Sequence, residues 1–279
     1  MALSFIETNM IPVHPRSVWL AYKNAESLAL GGTGYPIFLG VVKYKSFNKY
    51  IHEKFSDIEA TENNYSKMMI DHGLRYEHLA ISAFIVNTFR NKMTIPFERL
   101  GYSHEYITDN DTDSKIKVII TPDFMFNDLS DGTLHILEVK CPYHLPHSEK
   151  YSRYRIQWVG ELFATKKYPY GVGKPFAQAL LYSHVMKANY FYVLNYLVRD
   201  KEDEYCGVLY KYEYKSDDKD LIDFLNNSII SYDSLLKSYD ENKKYMCYKD
   251  GPRKVEEMMK KCFISVQIIK GKRDQAPPV

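Results

Sequence analysis

The chain has 279 residues, 45% hydrophobic and 26% charged, with 37 Lys and Arg against 35 Asp and Glu, a net charge of +2. That composition excludes a collagen, a disordered tail protein and a disulfide miniprotein, and the length suits one large α/β domain or two modest ones. No run approaches the ~18 consecutive apolar residues of a membrane span, and the opening MALSFIETNM lacks a basic segment followed by an apolar core. Cysteines 141, 206, 247 and 262 show no paired spacing. An intracellular setting with no membrane partner is expected, cytoplasmic or at a nuclear or viral replication site.

In chain order, residues 46–58 tolerate helix. Tyr76, Leu79, Ala80, Ala83, Phe84 and Asn87 recur at three- and four-residue spacing, which predicts a helix from about Gly73 to Arg90. Residues 95–107 and 116–127 are β-branched and aromatic, and 133–141 alternates. The Asn-Asp-Leu-Ser-Asp-Gly turn at 127–132 makes the last two strands a hairpin. Residues 175–188 read as a helix opened by Pro175. Segments 190–198 and 205–214 form a second hairpin, 218–242 is helical, and a last helix starts after Asp250 with Pro252 in its first turn. The Gly31–Gly34 run follows no clear strand and reads as a plain turn. One α/β core with a C-terminal helical extension is the economical architecture.

The near-neutral total conceals segregation. Residues 101–133 carry seven acidic and two basic side chains, and 140–175 carry seven basic, Lys174 among them, and two acidic. Residues 199–223 are acidic again, and 243–273 hold ten basic and three acidic side chains. Solvated surfaces account for such runs, but so does an acidic centre holding cations between basic flanks that neutralise phosphates.

The residues that carry chemistry are Thr121-Pro122-Asp123 and Leu137-Glu138-Val139-Lys140, with Glu138 fifteen residues after Asp123. Alternation along a strand puts Glu138 and Lys140 on one face, and a hairpin can bring Asp123 beside it. Two carboxylates there make a hard-oxygen site suited to Mg²⁺ or Mn²⁺, with a lysine to orient and help deprotonate a water. A surface Glu–Lys pair with an unrelated aspartate fits the same letters. Glu77 near the start of its helix also suits the helix dipole, and Gln178 and Tyr182 suit an exposed polar stripe.

In this order, however, the elements resemble the PD-(D/E)xK nuclease superfamily, and within it the lambda-exonuclease/YqaJ-type viral recombination exonucleases. The matching pieces are GLRYEHLA at 73–80, TPD at 121–123, LEVKCP at 137–142 and AQALLY at 177–182, with RSVWLAYK at 16–23 similar to the family's N-terminal segment. The resemblance implies a restriction-endonuclease-like α/β core, a central mixed β-sheet flanked by helices. Residues 1–200 would form the nuclease core with an N-terminal helical segment. Residues 201–279 would add a hairpin strand and the helical extension, packed on the same domain.

It implies a Mg²⁺-dependent DNA exonuclease (Mn²⁺ as alternative), using two ions and acting 5′→3′ on linear duplex ends in viral or phage recombination. Asp123, Glu138 and the Val139 carbonyl would hold metal, and Glu77 would support a metal-bound water or second ion. Lys140 would act on the nucleophilic water, and Gln178 would position either. Thr121, Lys23 and Ser27 would line a 5′-phosphate pocket, with Lys174 in the basic segment that grips DNA. Departures are Phe124 where the family has glycine after Pro-Asp, and a shorter spacing from Lys23 to Ser27. The implied partners are a duplex end, its single-strand product and a single-strand annealing protein. An endonuclease, an RNA-cleaving relative and a non-catalytic DNA-binding protein on the same scaffold are the alternatives.

Overall fold

The structure is a computed structural model that describes residues 3–12, 22, 29–42, 45–56, 64–89, 93–94, 100–108, 111–141, 173–198 and 204–272. Its strands are β1 (Leu3–Pro12), β2 (Leu30–Gly31), β3 (Met93–Thr94), β4 (Leu100–Thr108), β5 (Asp111–Ile120), β6 (Phe124–Asp128), β7 (Leu134–Lys140), β8 (Tyr190–Val198), β9 (Glu204–Glu213) and β10 (Phe263–Lys272). Its helices are α1 (Gly34–Phe38), α2 (Phe47–Phe55), α3 (Asn64–Phe84), α4 (Gly173–Met186), α5 (Lys219–Lys237) and α6 (Gly251–Cys262). A π-helical turn, Ile85–Phe89, continues α3.

The fold is mixed α/β. Six strands in the order β10-β9-β8-β7-β6-β3 form one sheet and four in the order β1-β4-β5-β2 form another. Both are mixed: β7 and β8 pair in parallel, as do β2 and β5, and the remaining pairs are antiparallel. The parallel β7–β8 pair requires a crossover, and α4 lies within it.

Helices cover the six-stranded sheet on both faces. On one, α3 buries Tyr76, Ala80, Ala83 and Phe84 against Leu137, Val139, Tyr192 and Leu194. Those helical positions recur at intervals of four, three and one, a single stripe. On the other, α4 packs against β7, β8, α1, α5 and α6. It is buried from Pro175 to Ser183 because neighbours surround it, so its sequence is apolar around most of its circumference. Each large side chain buried this way contributes about 1.5–3 kcal/mol.

Several elements differ from the sequence expectations. The single strand expected over 116–127 is two, because Pro122 offers no N–H to a ladder, and β5 and β6 on either side of it belong to different sheets. Residues 3–12, for which no element was expected, are a strand, and the N-terminal segment at 16–23 lies, Tyr22 apart, outside the described residues. The C-terminal extension is not helical throughout: after α5 and α6 the chain returns as β10 and pairs antiparallel with β9. The expected helix at 73–90 begins nine residues earlier, at Asn64, and the glycine run follows the short strand β2.

Glycine is required where that run passes α4. A Cβ on Gly32 would fall inside van der Waals contact of the Tyr182 hydroxyl and ring, and one on Gly34 would meet the Tyr50 hydroxyl. Tyr182 is therefore buried packing, not part of an exposed polar stripe.

Candidate active site at the end of strand β7

Alternation in β7 sends Ile136 into the core on the α4 side and Leu137 and Val139 into the core beneath α3. Glu138 shares the parity of Ile136 and is 2% exposed. A carboxylate at that depth stays charged only with a cation beside it. Lys140, two residues on, supplies one: its Nζ donates to Glu138 Oε1 and, at 3.2 Å, to the Val139 carbonyl. Burial alone pushes the Lys140 ammonium down, but the Glu138, Asp123 and Glu77 carboxylates outweigh it and hold the pKa above the ordinary lysine value.

Asp123 reaches the same place from the corner between the sheets. The β6–β7 ladder begins with Phe124 opposite Leu137. Past that pair, the Asp123 side chain takes over and its Oδ2 accepts from the Val139 N–H at 2.7 Å. Both backbone groups of Val139 are thus engaged at the site, the N–H by Asp123 and the carbonyl by Lys140. Thr121, just before Pro122, sits at this corner, half-buried.

Glu77, from α3, acts at this end of β7. Its charge helps raise Lys140 and also the neighbouring Cys141 thiol, which burial first of all, then Glu77 and Asp123, push up to about 12. Gln178 lies on α4, which packs on β7, and is 6% exposed. Its Oε1 is buried with no hydrogen-bond partner among the described residues, an arrangement that costs about 1–3 kcal/mol. Lys174 lies four residues earlier on the same helical stripe, in the first turn of α4. Lys23 and Ser27 lie outside the described residues.

The groups at this end of β7 are oxygen donors. They are the carboxylates of Asp123 and Glu138, with the Glu77 carboxylate near enough to act on Lys140, and the Val139 carbonyl. Among the described residues, three carboxylates stand against the Lys140 ammonium here. All the donors are oxygen, the preference of Mg²⁺ and Mn²⁺ rather than of zinc.

Sequence reasoning missed one cluster. Asp128, Asp131 and His135 have candidate ligand atoms within 4.8 Å of one another at the opposite end of β7. Their donors are already committed to the turn. Asp131 Oδ1 accepts from the Thr133 hydroxyl at 2.6 Å, Thr133 Oγ1 contacts His135 Nε2 at 2.7 Å, and His135 Nδ1 contacts the Tyr192 hydroxyl at 3.1 Å. The alternating strand pattern around His135 carried no signal of it.

No protein-family profile and no curated protein sequence matches the chain. Among solved structures it is similar to the alkaline exonuclease LHK-Exo from Laribacter hongkongensis, with a TM-score of 0.45 and 14% identity over 87% of this chain and 97% of that one. It is also similar to the protein SSO0001, with a TM-score of 0.36 and 11% identity over 76% of this chain and 86% of that one. At scores this low, the chemistry of the site is what bears on function.

Proposed function

We propose that this chain is a metal-dependent DNA exonuclease that hydrolyses phosphodiester bonds at the end of β7. The observation that supports this most is that Asp123 and Lys140 engage the two backbone groups of Val139 while Lys140 also donates to the buried Glu138. Such a centre combines anionic oxygen donors with an adjacent ammonium, a pairing that suits charge stabilisation on a phosphoryl oxygen.

Asp123, Glu138 and the Val139 carbonyl hold Mg²⁺ or Mn²⁺ in this reading, with Glu77 available to a second ion or its water. The metal supplies Lewis-acid stabilisation of the phosphate and a more acidic water. Lys140 orients the attacking water from its position beside the Val139 carbonyl, and Gln178, buried on α4, fixes Lys140 or that water. Thr121 and Lys174 contact the phosphate of the DNA end, together with Lys23 and Ser27. The substrate is a linear duplex end degraded 5′→3′, with a single strand left for an annealing protein in viral or phage recombination.

End-labelled linear duplex carrying a 5′-phosphate or a 5′-hydroxyl, incubated with Mg²⁺, tests activity, polarity and the phosphate contacts together. Mononucleotide release from the 5′ label, faster with the phosphate, is expected. Full activity in Asp123→Ala would overturn the assignment.

A further inference from the structure

We infer that Lys140 is a displaceable counter-ion, an ammonium that holds the oxygens of the divalent ion until the ion takes its place. The inference rests on the metal-dependent reading of the site and concerns the order in which its parts engage. Lys140 Nζ donates to Glu138 Oε1 and, at 3.2 Å, to the Val139 carbonyl. Those are two of the three groups assigned above to the metal. The third, the Asp123 carboxylate, attracts the same ammonium, as does Glu77. Ammonium and metal ion therefore contend for the same oxygens.

The two members of the pair differ in their freedom to leave. Glu138 lies inside β7, between Leu137 and Val139, whose side chains are fixed in the core beneath α3. Strands β6 and β8 hold β7 on both edges, with Leu137 opposite Phe124 and Glu138 opposite Val193. At 2% exposure the Glu138 carboxylate has no path to water. Lys140 is the last residue of the strand, and its side chain is 33% exposed. Its flexible four-carbon stem lets the ammonium turn outward, whereas a buried carboxylate stripped of every cation is strongly destabilising. Glu138 thus keeps a cation at all times, and Lys140 is the one that can be exchanged.

This arrangement gives the site a sequence of events. Without metal, Lys140 neutralises Glu138 and is withheld from the attacking water. Once the metal holds Glu138 and the Val139 carbonyl, the ammonium is released to orient that water. Lysine suits such an exchange better than arginine, whose planar fork grips a carboxylate through two parallel hydrogen bonds. The competing arrangement is a static pair, in which Lys140 stays on Glu138 and any metal is left to Asp123 and Glu77.

Two measurements test the exchange, neither of them hydrolysis. In the wild-type chain, amine acetylation with sulfosuccinimidyl acetate is read residue by residue by mass spectrometry, in EDTA and in saturating Mn²⁺. Lys140 should label faster with Mn²⁺, while Lys260, paired with Glu256 at the surface, should not change. The second compares wild type with Lys140→Met, which keeps a long flexible side chain and removes the charge. Titrations followed by the electron paramagnetic resonance of free Mn²⁺ should show the variant binding at least about tenfold more tightly, since no ammonium competes or repels. In EDTA the variant should melt below wild type, and Mn²⁺ should restore most of the loss. Lys140 labelling indifferent to Mn²⁺ would overturn the displacement, because repulsion across space would tighten the variant without moving the lysine. Equal Mn²⁺ affinity of the two proteins would overturn it too, as would equal melts in EDTA, and each leaves the metal reading standing if wild type binds Mn²⁺. Absence of Mn²⁺ binding by both proteins would remove the metal reading, and this inference with it.

Discussion

The Asp123 carboxylate accepts the backbone N–H of Val139 at 2.7 Å. That bond joins the corner where the chain leaves the four-stranded sheet to the strand that carries Glu138 and Lys140. Asp123 therefore has an architectural task in addition to its proposed chemical one, and substitutions can separate the two. Asp123→Asn keeps an oxygen acceptor for Val139 and should fold like wild type while losing at least about a hundredfold in hydrolysis. Asp123→Ala loses the same activity and also about 1.5–3 kcal/mol of stability, the range for a hydrogen bond to a charged group. Urea melts beside a duplex-digestion assay make the comparison. Equal melts for both variants would remove the structural part.

Divalent metal should stabilise the folded chain measurably. At ten times its dissociation constant a ligand specific for the folded state adds about 1.4 kcal/mol. Thermal melts in EDTA and in rising Mg²⁺ should show an upward shift that saturates. Glu138→Gln should abolish the shift, because it removes the charge of the most deeply buried donor. A wild-type melting temperature indifferent to Mg²⁺ and Mn²⁺ would dissociate the carboxylates from metal.

Gln178 predicts a divergence of stability and rate. Its buried Oε1 has no partner among the described residues, so Gln178→Leu removes an unsatisfied group from an apolar helix and should leave stability equal or higher. As a positioning residue it should still lower kcat about 10–100-fold, with little change in KM. Gln178→Glu, which keeps the oxygen in that place, should recover part of the rate. A parallel fall in stability and rate would make the role purely structural.

Two glycines should respond oppositely to the same substitution. Gly32→Ala drives a methyl into Tyr182 and should destabilise by about 1–3 kcal/mol, the range for overpacking. Gly73→Ala, in α3 with nothing within 4 Å of the new methyl, should stabilise by about 0.5–1 kcal/mol through helix propensity. Differential scanning calorimetry of both variants resolves the signs.

Acid should unfold the chain through three histidines. Burial lowers His104, His135 and His184 from 6.5 to about 4. In the unfolded chain each binds a proton near pH 6.5, so between about pH 6.5 and 4 the unfolded state holds more protons and stability falls as pH falls. The stabilisation is fully present above about pH 6.5 and is withdrawn progressively as pH falls toward about 4. Chemical denaturation at a series of pH values should show this slope, and His135→Phe should flatten it by about one histidine. A flat profile across that window would contradict the burial of these rings.

The central helices and the two hairpins were legible in the sequence, because they depend on local patterns. The 3.6-residue spacing of Tyr76, Ala80, Ala83 and Phe84 marks a buried helix face, and the alternation around Glu138 marks a strand with two different sides. What the sequence could not convey was pairing between strands not joined by a hairpin turn. Strand β10 follows a helix without a turn signal and is specified by β9 waiting at the sheet edge. Likewise β5 and β6 read as one strand, since membership of a sheet depends on neighbours distant in the chain.

The sequence by itself singled out Asp123, Glu138 and Lys140 from the pattern of their groups along two strands, and Glu77 and Gln178 through the resemblance. Only the tertiary structure decided that the chain turns from one sheet to the other at Pro122, which brings the Asp123 carboxylate onto the Val139 N–H. It also decided that Glu138 is buried and that Gln178 and Tyr182 face the interior rather than solvent. The physical reason is that periodicity reports only that a face is covered. What covers it, and at what depth a charge lies, follows from packing between segments far apart in the chain.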